Sequence, residues 1–275
     1  MTKAAVIQMT STTDVQRNLD AAAALLAQAA GEGAVLAVLP ENFVIMGKHE
    51  TDKFAVAEEF GHGRVQDFLG TLAKKLKLWI VAGTMPIKVP GETRVAAASL
   101  IFNSHGECVA RYDKMHLVDV EVSDAQGTYR ESASMVPGQQ PVCIDTPVGK
   151  LGMAICYDMR FPELFRLLSA KGAQLFAVPA AFTVPTGRAH WDVLLRARAI
   201  ENLSFVLAAA QVGIHENGRE TWGHSMIIDP WGEVLGCRPE GTGVVVVDIN
   251  LQHQADIRRR FPALNQRRFR IAEHD

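Results

Sequence analysis

The chain has 275 residues, 48% of them hydrophobic, with 28 lysines and arginines against 30 aspartates and glutamates and a formal net charge of −2. A core of this size suits one large α/β domain over residues 1–275. Basic residues bunch only at Arg258-Arg259-Arg260 and Arg267-Arg268, and no apolar stretch approaches the ~18 residues of a membrane span, so neither nucleic acid nor membrane is the expected partner and a small molecule is.

Apolar runs of strand length recur along the chain. The first, 4–9, lies so close to residue 1 that the start is read as a strand and not a signal peptide. Residues 15–30 follow, with Leu19, Ala22, Leu26 and Ala29 at helical spacing behind Thr13 or Asp14 as cap. Runs at 35–39, 78–84 and 96–102 predict strands, and 61–76 a second helix. Residues 116–140 lack an apolar period and read as a long functional loop. Strands are predicted again at 151–156, 175–178, 205–210, 224–228 and 244–249, with a helix at 188–202. Early strand–helix alternation argues α/β, while later Gly-rich turns such as Pro230-Trp231-Gly232 call for hairpins, so a mixed sheet system follows. Residues 35–43 and 174–182 share an apolar run, a proline and a phenylalanine, weak support for two stacked sheets. The four cysteines, Cys108, Cys143, Cys156 and Cys237, show no C-x-x-C spacing, which fits a reduced, cytoplasmic protein.

Three of these runs end on chemistry-bearing side chains. Cys156 closes Leu151-Gly152-Met153-Ala154-Ile155 and is expected to be displayed, because the carboxyl ends of strands are where α/β layers build their sites. Glu41 follows 35–40, and Lys114 follows Val109-Ala110-Arg111-Tyr112-Asp113. A thiol is mostly protonated at neutral pH and needs help to attack a carbonyl. A carboxylate can take its proton and an ammonium can hold the developing oxyanion. Taken singly, each also has a bland reading, a buried core thiol and two solvated charges.

Taken together, three ordered blocks resemble the nitrilase superfamily of carbon–nitrogen hydrolases: Leu39-Pro40-Glu41-Asn42-Phe43, Tyr112-Asp113-Lys114-Met115-His116-Leu117, and residues 152–163 around Cys156. Arg130-Glu131-Ser132, Ala189-His190-Trp191, Gly223-His224-Ser225 and Asp229-Pro230-Trp231-Gly232 extend the similarity over nearly the whole chain. The resemblance implies a four-layer αββα sandwich of two mixed β-sheets with helices outside, a homodimer docked through a sheet-flanking helix face, and a Glu41–Lys114–Cys156 triad that needs no metal or organic cofactor. It further implies that Lys114 and the Tyr157 backbone N–H hold the oxyanion, that a thioester forms on Cys156 while ammonia leaves, and that Glu131 positions substrate near Lys114.

Residues 156–163 and 261–269 look most like the amidase branch that includes deaminated glutathione amidase and omega-amidase, whose substrates carry an α-keto acid or another carboxylate. Binding that anion calls for a guanidinium. Arg160 is the first choice, against a structural ion pair with Asp158 or Glu163; Arg188 and Arg130 are weaker options. Phe182 and Thr183 follow the strand at 175–178 and are expected to line the pocket, although Phe182 reads equally as core. Two rival readings stand beside this one: a thiol–histidine pair using His116, His190 or His224, and a non-catalytic binding module on the same fold, in which Cys156 would react no faster with thiol reagents than the other cysteines.

Overall fold

Side chains alternate across a strand, and in the first two strands both alternating sets are apolar, which sorts the molecule into layers. In β1 (Thr2–Gln8) and β2 (Ala34–Val38), Ala4, Val6, Leu36 and Val38 enter one core while Ala5, Ile7 and Ala37 enter another. Strands covered on both faces read as continuous apolar runs without polar alternation. The computed structural model describes residues 1–122 and 127–269; residues 123–126 of the expected long loop and 270–275 at the end of the expected domain lie outside the described residues.

With β3 (Trp79–Val81), β4 (Met85–Lys88), β5 (Val95–Phe102), β6 (Cys108–Asp113) and β17 (Gly243–Ile249), the first sheet has the order β17-β1-β2-β3-β5-β4, with β6 also paired to β5. Its centre is parallel, β1 with β2 and β2 with β3, and its margins are antiparallel. The second sheet has the order β16-β15-β12-β11-β10-β9, built from β9 (Cys143–Thr146), β10 (Gly149–Met153), β11 (Leu175–Ala180), β12 (Phe205–Ala210), β15 (Ser225–Ile228) and β16 (Val234–Arg238). Two ribbons sit beside the sheets: β7 (Asp119–Glu121) with β8 (Thr128–Arg130), and β13 (Val212–Ile214) with β14 (Glu220–Trp222).

The inner faces of the sheets pack on each other, β1 lying against β12 and β15, and a parallel bridge from Met9 to Gln211 joins them. Outside the first sheet lie helices Val15–Gly31 and Arg64–Leu76, which bury Leu19, Ala22, Leu26, Leu69 and Ala73. Of the two caps considered for the first, Asp14 does the work, accepting from Arg17 N–H at 3.1 Å. Outside the second sheet lie helices Pro162–Ala170 and Asp192–Asn202, which bury Leu164, Phe165, Leu168, Leu195 and Ala199. The order of layers is αββα. The two similar segments of the sequence contain β2 and β11, each a central parallel strand of its own sheet.

Some expected elements end early. The run 78–84 forms a strand only over Trp79–Val81, because the chain then turns at Gly83 (φ +50) and reverses into β4. The run 151–156 forms a strand only to Met153, and Cys156 already belongs to the following 3₁₀ turn, Cys156–Arg160. The helix expected from residue 188 begins instead as a π-helical turn over Gly187–Trp191.

Candidate active site

Glu41, Lys114 and Cys156 each lie just beyond a strand, after β2, β6 and β10 respectively. Backbone geometry fixes the first. Leu39 N–H donates to Val81 O at 2.9 Å, Asn42 takes a left-handed conformation (φ 58), and Asn42 N–H donates to Thr84 Oγ1 at 2.8 Å. A Cβ at Gly83 would collide with the Pro40 carbonyl, so this close approach needs glycine. From the second sheet Gln211 Nε2 donates to Glu41 O at 2.9 Å, tying the base of the carboxylate to both sheets.

Lys114 is held through its own peptide, N–H to Ala97 O at 3.0 Å and C=O accepting from Gly138 N–H at 2.8 Å. Its side chain is 0% exposed. Nζ donates to Glu41 Oε1 at 2.8 Å and to Glu131 Oε1 and Oε2 at 3.0 and 2.8 Å. Glu131 Oε2 also accepts Val118 N–H at 2.8 Å, which orients that carboxylate from the preceding loop.

Cys156 has φ 47, a left-handed conformation that costs a non-glycine residue about 1–3 kcal/mol unless its surroundings impose it. Asp158 imposes it. Its fully buried carboxylate accepts Ile155 N–H at 2.8 Å and Tyr112 O–H at 2.7 Å on one oxygen, and His116 N–H at 3.0 Å on the other, which also lies 2.7 Å from His116 Nδ1. The expectation of a displayed thiol is corrected here: Cys156 is 6% exposed, at the bottom of a cleft, whereas Cys108 and Cys237 are the exposed cysteines. The tight turn after β10 folds the thiol back toward the sheets instead of presenting it outward. Fast reaction with a general thiol reagent is therefore no mark of this residue, because exposure competes with activation in setting the rate.

The charges around the thiol decide where protons reside. Burial works to raise the Glu41 carboxyl, but the Lys114 charge and hydrogen bond outweigh it, with smaller contributions from the Cys156 thiol and Arg219, so Glu41 lies below its ordinary value. Burial works to lower Lys114, and the Glu131 and Glu41 carboxylates overcome it, leaving the ammonium well above its usual range. For Cys156, burial and the Glu41 charge push the thiol well above its ordinary value, opposed by Lys114 and the Ala181 N–H. At rest, then, sulfur holds its proton, Glu41 is ionised and Lys114 is charged.

The cleft above the thiol holds about 450 Å³ of open space. Glu41, Glu131, Cys156, Tyr157, Arg160, Phe182 and Thr183 all line it, with Lys114 buried beneath. Arg160 makes no ion pair with Asp158 or Glu163 among the described residues. Instead its guanidinium lies 5.6 Å from the centre of the Tyr157 ring and 5.3 Å from that of Phe182, and donates to His190 Nδ1 at 3.2 Å. Phe182 serves both readings offered for it, lining the cleft while packing 5.0 Å from the Trp191 ring in the core. Arg130 and Arg188 do not line the cleft; Arg188 lies over Trp222.

The histidines do not support a thiol–histidine pair, since none lines the cleft among the described residues. His116 is bonded to Asp158 and stacked on Phe161 at 3.7 Å, His190 accepts from Arg160, and His224 is stacked on Trp222 at 4.2 Å. Nor, among the described residues, do three or more His, Cys, Asp or Glu side chains converge as a metal site. What sequence reasoning missed is Arg219, which also lines the cleft. It sits in the polar hairpin Asn217-Gly218-Arg219-Glu220, which by composition reads as a solvated turn.

A family model described as carbon–nitrogen hydrolase matches residues 3–259. The chain belongs to that family. A deaminated glutathione amidase of Synechocystis sp. (strain PCC 6803 / GT-S) is 45% identical over 97% of this chain and 98% of its own length. Among solved structures, Saccharomyces cerevisiae Nit3, a member of branch 10 of the nitrilase superfamily, matches with a TM-score of 0.87 at 32% identity, covering 98% of this chain and 97% of that one. A mutant amidase from Nesterenkonia sp. AN1, whose active-site cysteine has undergone Michael addition of acrylamide, matches with a TM-score of 0.79 at 29% identity, covering 95% of this chain and 98% of that one. Membership places the chain among hydrolases of non-peptide carbon–nitrogen bonds.

Replacing Lys114 by Met leaves Glu41 and Glu131 without their shared counter-charge. Breaking a buried pair in this way costs about 3–5 kcal/mol of stability. In the wild type the depressed Glu41 contributes stability above its unfolded pKa that is lost as pH falls through its folded pKa; in the variant burial raises Glu41, reversing the sign. Denaturant unfolding should show a deficit that is largest at neutral pH and shrinks through the carboxylate range; a deficit independent of pH would contradict the coupling.

Proposed function

We propose that this chain is an amidase that hydrolyses a linear, carboxylate-bearing amide through a thioester on Cys156, with deaminated glutathione as its substrate. The observation that carries the reading is the fully buried Lys114 ammonium, held between Glu41 and Glu131 beneath the thiol. An arrangement that buries an ammonium against one carboxylate and holds a second, partly exposed carboxylate on it serves chemistry better than stability, since buried ion pairs contribute little to folding. It also argues against a non-catalytic binding module, for which such a cluster has no use.

Because sulfur is protonated and Glu41 ionised at rest, attack and proton transfer go together: Glu41 takes the thiol proton as sulfur bonds to the amide carbonyl. Lys114 and the Tyr157 N–H hold the oxyanion, and fixed donors of this kind typically supply about 10²–10³ in rate. Glu41 then passes its proton to the leaving nitrogen as the carbon–nitrogen bond breaks. The thioester is hydrolysed by water that Glu41 deprotonates, and no step calls on a metal or organic cofactor. Glu131 fixes Lys114 and borders the substrate, Phe182 and Thr183 line the acyl pocket, and Arg160, braced on two rings, takes the acyl-side carboxylate. For a primary amide the leaving group is ammonia. Deaminated glutathione has no primary amide, so there the leaving group is the amine of cysteinylglycine.

Kinetics on deaminated glutathione, α-ketoglutaramate, a simple aliphatic amide and its nitrile test the assignment. Deaminated glutathione should have the highest kcat/KM, and Cys156→Ala should lower it at least about a thousandfold. An omega-amidase would favour α-ketoglutaramate, preference for the nitrile would overturn the amidase reading, and undiminished activity of the Cys156 variant would overturn the mechanism.

We further infer a cytoplasmic homodimer. The cysteines are free thiols, and no helix among the described residues is long and apolar enough to cross a membrane. On the outer layer of the second sheet, Val193 and Ile200 of helix Asp192–Asn202 are exposed, as are Trp231, Val234, Leu235 and Phe261. The Trp231 and Phe261 rings meet edge-on at 5.6 Å, and Ile200 lies against Gly232 beside them; exposed apolar side chains grouped in this way mark an association surface, and a second copy of the chain would cover them. Sedimentation velocity should give the dimer mass for the wild type and the monomer for Ile200→Glu; a monomeric wild type would refute the assembly.

A further inference from the structure

Among the described residues two arginines line the cleft, and Arg160 accounts for one end of the substrate only. Arg219 approaches from the other side, on the hairpin that joins β13 to β14. The hairpin is closed by His215 N–H to Arg219 O at 2.9 Å, and Asn217 Oδ1 accepts Arg219 N–H at 2.9 Å. The guanidinium lies 5.2 Å from the centre of the Tyr129 ring and donates through Nη2 to Ala181 O, while the N–H of the same Ala181 faces the Cys156 sulfur. Its Nε is buried and has no hydrogen-bond partner among the described residues. A buried donor left unpaired is destabilising, and a bound acceptor would relieve it.

The position of Arg219 matters as much as its spare donor. A second cavity opens beside the cleft, with Asn42, His49, Lys53, Thr84 and Asn217 in its wall, and Arg219 belongs to the walls of both cavities. Lys53 is neutralised there by Glu50 and also reaches Ser134 Oγ, whereas Arg219 makes no ion pair among the described residues and acts on Glu41 only through its charge. Glu41, the group that returns the proton to the leaving nitrogen, shares the wall of the cleft with Arg219 and feels its charge, and the next residue, Asn42, lines the second cavity. The leaving amine must stand next to Glu41 at that moment, and whatever is attached to it extends toward Arg219. Arg160, bracketed by Tyr157 and Phe182, faces the acyl part.

We propose that Arg219 is the specificity residue of the leaving-group side, its guanidinium receiving the terminal carboxylate of an amide that carries one carboxylate at each end. The inference rests on the reading of the chain as an amidase for deaminated glutathione. That molecule has an α-keto carboxylate on the acyl side of the scissile amide and the glycine carboxylate on the other. α-Ketoglutaramate has only the first, and its leaving group, ammonia, is too small to reach Arg219. One guanidinium at each end of the cleft therefore selects the longer dianion. Hydrogen bonds to charged groups discriminate by roughly 10–100-fold when one partner is removed.

The test crosses two substrates with two enzymes: deaminated glutathione and its analogue with the glycine carboxylate capped as a carboxamide, on the wild type and on Arg219→Gln. The wild type should prefer the free acid by about 10–100-fold in kcat/KM, and the variant should bring that ratio close to one, with Arg219→Lys in between. Arg160→Gln should depress both substrates and preserve the ratio. A wild type indifferent to the cap, or a ratio unchanged in Arg219→Gln, overturns the assignment while leaving the amidase reading intact, because both substrates are still cleaved. If the wild type cleaves neither substrate but does cleave α-ketoglutaramate or an aliphatic amide, the deaminated glutathione reading falls and this inference with it. The substrate arm on the wild type stands even if the variants fold poorly.

Discussion

A lysine ammonium shut away from water dictates most of what surrounds it. Desolvating such a charge costs several kcal/mol even after relaxation, so Lys114 can persist only where carboxylates and their own donors are already in place. Glu41 and Glu131 meet that demand at 2.8 Å, and each is fixed from elsewhere: Glu41 by the Gly83 turn and by Gln211, Glu131 by Val118 N–H. The two sheets must therefore close in one register for the ion cluster to form. The cluster is also what holds Glu41 ionised beside a thiol that keeps its proton, so the feature that demands structural precision is the one on which the proposed chemistry depends.

The proposed nucleophile is governed by a second buried carboxylate. Asp158 binds the peptide before Cys156, the Tyr112 hydroxyl and both donors of His116, and in doing so holds the left-handed turn that puts the thiol at the floor of the cleft. His116, which in isolation resembles a base for the thiol, orients that turn instead. Stacked on Phe161 and bonded to Asp158, it is committed away from the sulfur.

The layered architecture was legible in the sequence because strands buried on both faces carry unbroken apolar runs, and β1, β2, β11 and β12 do so. The first helix was legible through Leu19, Ala22, Leu26 and Ala29 and through its Asp14 cap. Glu41, Lys114 and Cys156 stood out because each polar side chain ends such a run. Strand ends were less legible: residues 78–84 read as one strand because nothing in their hydrophobicity reveals that Gly83 must approach the Pro40 carbonyl. The burial of Cys156 was hidden for a related reason, since a left-handed cysteine follows from what Asp158 binds across the fold and not from local composition. Arg219 was invisible because a polar hairpin residue acquires meaning only when tertiary structure lays the hairpin over the cleft.

At rest a protonated Cys156 stands beside an ionised Glu41, so that in the proposed mechanism thiolate appears only as the amide is attacked. The difference in ultraviolet thiolate absorbance between the wild type and Cys156→Ala, followed through a pH titration of the free enzyme, measures this resting distribution of protons directly. The structure predicts no thiolate signal at neutral pH and its appearance only above the ordinary thiol range; a full thiolate signal at neutral pH, with Glu41 carrying the proton, would contradict the account.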